Sequence, residues 1–360
     1  MKAILMLEDG KSFSGEALNH CQEAIGEVIF NTAVVGYQEM ITDPASSNKI
    51  LVLTYPLIGN YGVAPKFNES RRAWLAGLAI KESSRIYSNW QAKSSLDDFL
   101  KKQKLPTIYG LDTRTLAVHL RHKGQIRGII STKCFDPTTL LTKIKNSTQL
   151  KDKSLLPRIS VSKPKYLGTR NSKMKIAILD LGLTNSIAKQ LQRLGLGLTV
   201  LPYNTTAGEI LRLRPKGLLI SGGPEEDAGL KEVVENIKPL IGRLPILGIS
   251  TGAQVLAAAL GAKIIKLKLG HHGVNYPINK PLSYKGDITV QNHSRAVDGD
   301  SIAKLKNVRI TGFNLNDHSV EEFESKKLKF IGVQYIPVSP GFDEVNPVFH
   351  KFLTYLKRSR

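Results

Sequence analysis

The chain has 360 residues, 41% hydrophobic and 22% charged, enough for two domains with their own cores and unlike a disordered or low-complexity chain. Its formal net charge of +21 comes from scattered lysines, with short clusters such as Lys101-Lys102 and Lys326-Lys327; no basic run interleaved with aromatics marks a nucleic-acid groove. No apolar run approaches the ~20 residues of a membrane-spanning helix.

The apolar start, Ile4 to Leu7, is too short for a signal peptide and meets Glu8-Asp9-Gly10 at once, so it reads as a first strand and turn. Ile25 to Phe30 and Ile50 to Thr54 read as further strands, the latter closed by Tyr55-Pro56 and Gly59-Asn60-Tyr61-Gly62. Leu96 to Lys102 and Thr113 to His122 carry the spacing of amphipathic helices, the second capped by Asp112 or Thr113. The two cysteines, Cys21 and Cys134, lie in no CxxC or Cys/His arrangement, which argues against a metal site and for a reducing, cytoplasmic compartment. Residues 1–150 are therefore an α+β domain whose pattern alone shows no chemistry.

Residues 151–173, with Pro157, Pro164 and a polar run to Lys173, read as an exposed linker. From residue 174 strands and helices alternate. Lys175 to Leu181, Leu198 to Tyr203, Gly217 to Ser221 and Ile246 to Ile249 are strands. Asn185 to Leu194, Thr206 to Leu213 and Lys231 to Ile241 are the helices between them. Such alternation predicts a mostly parallel sheet covered by helices on both faces, over residues 174–360. Function in such sheets gathers at the carboxyl ends of the strands, here Gly182, Ser221-Gly-Gly-Pro224 and Ser250.

Ser250 is the most pointed of these. Gly248-Ile-Ser-Thr-Gly252 follows a buried strand and opens an Ala- and Leu-rich helix, the geometry of a nucleophile elbow. A serine hydroxyl needs a positioned base, itself oriented by an acid. The downstream histidines are His271 and His272 in a glycine-bounded turn, His293, His318, and His350 on the polar face of a terminal helix. The last strand, Phe330 to Ile336, runs beside the elbow and offers Tyr335, Ile336, Pro337 and Val338, none a proton acceptor at neutral pH. The elbow reads as unarmed; a serine hydrolase would need Ser250 to recruit His293 or His272.

Several runs together resemble the small subunit of carbamoyl-phosphate synthase, whose second half is a class I glutamine amidotransferase domain. In the first half these are Gly26-Glu-Val-Ile-Phe-Asn-Thr32, Gly36-Tyr-Gln-Glu-Met-Ile-Thr-Asp-Pro44, Leu53-Thr-Tyr-Pro-Leu-Ile-Gly-Asn60 and Leu111-Asp-Thr-Arg114. In the second they are Ser221-Gly-Gly-Pro224, Gly248 to Gln254, Gly270-His-His-Gly273, Gln291-Asn-His293 and Ser339-Pro-Gly341.

The resemblance implies glutamine hydrolysis by a Cys-His-Glu triad, with ammonia passed to a large synthetase subunit for carbamoyl phosphate, a precursor in pyrimidine and arginine biosynthesis. Carried onto this chain, the triad positions hold Ser250, Ile336 and Val338. Gly223, Gln254 and Asn292 match glutamine-binding positions, while Ala45, Glu225 and Ala253 depart from the residues expected there; Gly273 and Gly341 keep the turns. The implied picture is a glutaminase-dead small subunit in an ammonia-dependent complex. No cofactor or metal is expected in this chain, ATP and metal belonging to the large subunit, and no nucleic acid or membrane is expected as partner; a higher oligomer of the heterodimer is compatible. A regulatory or scaffold paralogue without catalytic role is the alternative within the family.

Overall fold

The computed structural model describes residues 1–18, 23–147, 154–168, 172–281, 285–341 and 343–358; Cys21 falls outside them. The chain divides into two compact units, Met1–Lys151 with Lys268–Gly273, and Asp152–Leu267 with Val274–Arg360.

In the first unit the elements run β1 (Lys2–Leu7), β2 (Ser12–Ala17), β3 (Ala24–Asn31), α1 (Tyr37–Thr42), β4 (Lys49–Leu53), β5 (Leu57–Ile58), β6 (Gly77–Ala79) and β7 (Glu82–Ser83). They continue with α2 (Leu96–Gln103), β8 (Thr107–Tyr109), α3 (Thr113–Lys123), β9 (Ile126–Ser131) and α4 (Pro137–Asn146). Seven of the strands close into a barrel in the order β1-β2-β8-β6-β4-β3-β9, while β5 and β7 pair separately. Leu5, Leu7, Val28, Ile50, Val52, Ile108 and Ile130 share one buried cluster. Asp112 caps α3, accepting the Thr115 N–H at 2.9 Å and so satisfying one of the helix's orphan donors.

The second unit opens with α5 (Leu156–Ile159) and β10 (Lys165–Leu167). Both lie in the stretch expected to be an exposed linker, and both belong to the fold. Leu156 is fully buried, and β10 pairs antiparallel with β12 (Gly197–Pro202). Pro157 does not break α5 because it sits in the first turn, where a missing N–H costs nothing.

The order continues with β11 (Lys175–Asp180), α6 (Asn185–Arg193), β12, α7 (Ala207–Arg212), β13 (Leu218–Ile220), α8 (Leu230–Ile237), β14 (Ile246–Ile249) and α9 (Thr251–Ala259). Then come β15 (Ile264–Lys280), β16 (Lys285–Val297), α10 (Gly299–Ala303), β17 (Arg309–Asn314), β18 (Val320–Ser325), β19 (Phe330–Val333) and α11 (Pro347–Arg358). The ten-stranded sheet runs β10-β12-β11-β13-β14-β19-β18-β16-β15-β17. Its centre, β12-β11-β13-β14-β19, is the expected parallel sheet. Alternate residues of β11 enter separate apolar clusters. Ala177 and Leu179 pack with Val233 of α8 and Leu256 of α9, and Ile176 and Ile178 pack with Leu191 of α6 and Phe352 of α11. Helices thus cover both faces, which is why these strands read as continuous apolar runs.

Candidate functional site

The strand-turn-helix at Ser250 is present. β14 stops at Ile249, and Ser250 takes φ 52° and ψ −118° before α9 begins at Thr251. That is the left-handed first corner of a type II′ turn, a conformation glycine normally fills. The Ser250 N–H donates to the Val333 carbonyl at 2.7 Å, tying the corner to β19. Glycine is needed on both sides for packing. A Cβ on Gly252 would stand 2.1 Å from the Ile220 carbonyl oxygen, and one on Gly248 would stand 2.6 Å from the Gly252 oxygen. α9 therefore starts directly on top of β13 and β14, and residues 251–257 are all buried. The Thr251 hydroxyl donates to the Gly223 carbonyl at 2.6 Å, fixing the loop after β13 to the helix start. Ser250 itself is 3% exposed, and among the described residues its hydroxyl makes no hydrogen bond.

β19 runs parallel to β14 with Ile249 opposite Val333, so the last strand lies beside the elbow as the sequence suggested. It ends at Val333 rather than Ile336, because Ile336 donates its N–H to the Val290 carbonyl of β16 at 2.8 Å. Ile336 and Val338 line a cavity of about 520 Å³ with Tyr335, Glu322, Glu324 and Lys280, and Ser250 is not in that lining. The polar groups there are spent on one another. Lys280 Nζ lies 2.6 Å from Asp287 and 3.0 Å from Glu322, and the Tyr335 hydroxyl donates to Glu322 at 2.5 Å. Burial, reinforced by the Glu322 carboxylate, pushes the Tyr335 phenol well above its ordinary range, so it stays protonated.

The histidines are committed elsewhere. His293, fully buried in β16, has Nδ1 2.9 Å from the Arg295 carbonyl and Nε2 3.2 Å from Gln291 Oε1. His271 and His272 do not sit in a turn: they lie inside the seventeen-residue strand β15, and the short segment holding them packs with the first unit. There His272 Nε2 is 2.6 Å from Gln125 Nε2. The glycines flanking them suggested a turn, but alternating apolar and basic residues on the N-terminal side keep the strand extended. His350 is on the exposed face of α11, and His318 is exposed in the turn between β17 and β18.

The matched binding positions are brought partly together. In the second unit Gly223 is buried, Asn292 is half-buried in β16, and Gln254 is 4% exposed on the first turn of α9. Ala253 is fully buried among the apolar residues of that unit. Ala45 belongs to the first unit, buried in a short turn of helix where its N–H donates to Asp43 at 2.9 Å.

Sequence reasoning missed what Glu225 does. Its carboxylate accepts from Gln254 Nε2 at 2.7 Å, from the Ser294 N–H at 2.6 Å and from the Arg295 N–H at 3.1 Å. The Arg295 guanidinium goes instead to Glu226, 2.7 Å away. A charged residue departing from the one the resemblance leads one to expect was the available signal; the backbone partners, some seventy residues downstream, were not readable.

Residues 5–130 match the model of the carbamoyl-phosphate synthase small chain, CPSase domain, and residues 177–354 match glutamine amidotransferase class-I. The chain is 37% identical over 374 residues to the carbamoyl phosphate synthase small chain of Syntrophotalea carbinolica, covering 100% of this chain and 99% of the relative. The small chain of Chlorobaculum tepidum is 38% identical over 360 residues, covering 99% and 98%. The pyrimidine-specific small chain of Bacillus subtilis is 36% identical over 362 residues, covering 99% and 96%. No helix is long and apolar enough to cross a membrane among the described residues.

Proposed function

The chain belongs to the carbamoyl-phosphate synthase small-chain family, and on that premise we propose that it is a small subunit that has lost its own glutaminase while keeping its place beside the large subunit. The complex then makes carbamoyl phosphate from free ammonia.

The observation that carries this reading is the elbow. Ser250 is presented in strained backbone, but its hydroxyl has no hydrogen-bonding base among the described residues, and hydrocarbon stands at the base and acid positions, Ile336 and Val338. A hydroxyl has negligible thiolate-like reactivity at neutral pH, and in a comparable triad losing nucleophile or base alone costs ~10⁶ in turnover. The same geometry disfavours a serine hydrolase, since the nitrogens of His293 face Arg295 and Gln291. Retention of the large-subunit partner is supported by exposed apolar residues of the first unit, Ile86 at 80% and Trp90 at 87%, with Tyr87 between them. Large apolar side chains gathered on a surface are a common feature of surfaces that meet another protein.

The test is a paired assay with the large subunit present. Carbamoyl phosphate formed from ammonia but not from glutamine supports the proposal. Glutamine hydrolysis well above a buffer blank, by this chain alone or in complex, defeats it.

A further inference from the structure

β18 sets two glutamates into one face of the sheet. Alternation puts Glu322 and Glu324 on the same side of the strand, beside Val333 and Ile331 of β19. Glu322 is 7% exposed and Glu324 6%. Gly312 of β17, paired with Glu322, leaves it room, since a Cβ there would stand 3.1 Å from the glutamate side chain. Both carboxylates line the cavity of about 520 Å³ described above. We propose that this cavity binds a primary aliphatic amine, its ammonium group held by Glu324 and its hydrocarbon by the apolar wall.

Three observations carry the assignment. The first is charge. Lys280 and Lys351 face Asp287, Glu322 and Glu324 in this cavity, two cations against three carboxylates, in a chain whose net charge is +21. One further ammonium balances the set. The second is an acceptor left over. Glu322 is engaged by Lys280 and by the Tyr335 hydroxyl. At Glu324 the Tyr355 hydroxyl bonds to the carboxylate, and the Lys351 ammonium lies 2.6 Å from Oε2. That ammonium is not directed along a hydrogen bond, and the buried Oε2 accepts none from the described residues. A buried acceptor without a donor is costly, and an ammonium brings N–H groups to supply one. The third is the wall. Ile331, Val333 and Ile336 line the cavity, and Ile288 and Val338, 69% and 38% exposed, stand at its rim. A volume of this size suits a small molecule, whereas ordinary packing leaves few voids larger than a water.

The cavity is separate from the elbow. Phe323 and Phe330 turn to the face covered by α9, where they pack with Leu256. Ile331, Val333 and Tyr335 turn to the other face, where they pack with Val348 of α11. The two glutamates share that second face, and neither Ser250 nor any residue of α9 lines the cavity. An amine bound there is a ligand of the subunit and not a substrate of the corner.

The experiment titrates n-butylammonium chloride into the full-length native chain and follows the methyl resonances of Ile336 and Val338. Sodium butyrate and 1-butanol, of the same chain length, are titrated in parallel. Butylammonium is expected to shift the methyls saturably, and the other two to bind about tenfold more weakly or not at all. E324Q keeps the side-chain volume and loses the charge, and weakens butylammonium by about tenfold or more. Shifts that do not saturate, butyrate or butanol binding as tightly as butylammonium, or a folded E324Q with native affinity each overturn the proposal. If E324Q does not fold, I288K serves in its place, since Ile288 is exposed at the rim. Its added ammonium opposes that of the ligand, and undiminished affinity overturns the proposal. Glutamine hydrolysis by the native chain would defeat the proposed function without deciding this result.

Discussion

Replacing Ser250 with glycine should make the protein more stable and leave its activity unchanged. At φ 52° and ψ −118° a non-glycine residue stores roughly 1–3 kcal/mol of backbone strain. Glycine removes that strain but adds freedom to the unfolded chain, a cost of about 0.4–1 kcal/mol. The serine side chain gives little back, since among the described residues its hydroxyl has no hydrogen-bond partner. The net gain is therefore about 0.5–2 kcal/mol, which moves the midpoint of a unit this size upward by about 2–4 °C per kcal/mol. Thermal and urea melts of the native chain and S250G measure it, with glutamine hydrolysis and ammonia-dependent carbamoyl phosphate synthesis by the reconstituted complex as companion assays. A corner still carrying a working nucleophile gives the opposite pattern: glutamine hydrolysis falls when the side chain goes. Destabilisation by S250G of more than about 1 kcal/mol would refute the strain account.

Gly252→Ala should behave in the opposite way to S250G, because its Cβ would stand 2.1 Å from the Ile220 carbonyl oxygen. Backbone cannot yield as a side-chain tip can, so a loss of at least ~2 kcal/mol is expected in a urea melt; a neutral G252A would mean that α9 does not sit on β13 as described. Ser250→Cys alone should leave glutamine turnover at the native background, since a thiol there still lacks a base; a steady-state ammonia-release assay decides, and a rise of a hundredfold or more would show that some other group acts as base. Glu39→Gln should stabilise the protein at neutral pH. Burial, opposed by a backbone hydrogen bond and helped by the nearby Glu69 charge, raises the Glu39 carboxyl above its ordinary value of 4.5. Below 4.5 both folded and unfolded states hold the proton; as pH rises through the window above it the unfolded state ionises first and stability falls. The variant should match the native chain near pH 4 and exceed it at pH 7, and parallel stability-pH curves would remove Glu39 as the cause.

What the sequence disclosed and what it hid divide along physical lines. The central strands β11 to β14 and the helices between them were legible because a sheet buried on both faces writes uninterrupted apolar runs, and the elbow was legible because its glycines are sterically forced. The barrel was not. β6 and β8 are three residues each, too short to show a period, and they pair with each other in parallel across a long connection, Leu78 with Thr107 for instance. β10 was hidden among prolines and polar residues that resemble a linker, since an edge strand of three residues needs little apolar content. β15 looked like a turn because glycine flanks its histidines. The Ser294 and Arg295 contacts to Glu225 were invisible because they are made by backbone N–H groups, which carry no sequence signature.

The elbow in this protein answers two demands that usually travel together. One is packing: Gly248 and Gly252 let α9 descend onto β13 and β14, and the buried residues of α9 hold the apolar cluster on that face of the sheet. The other is chemistry, which needs an unblocked reactive group at the corner, a proton acceptor beside it and a vacant place for substrate. The first demand is met in full. On the proposed reading the second is not met: an alcohol stands at the corner, and residues 336 and 338 are Ile and Val. Strain at Ser250 is held in place by packing, because the tight turn is also the route by which the helix enters the core; relaxing the corner by a longer connection would uncover that helix. A turn of this shape in a sequence is therefore a statement about packing first and about catalysis only when its side chains agree.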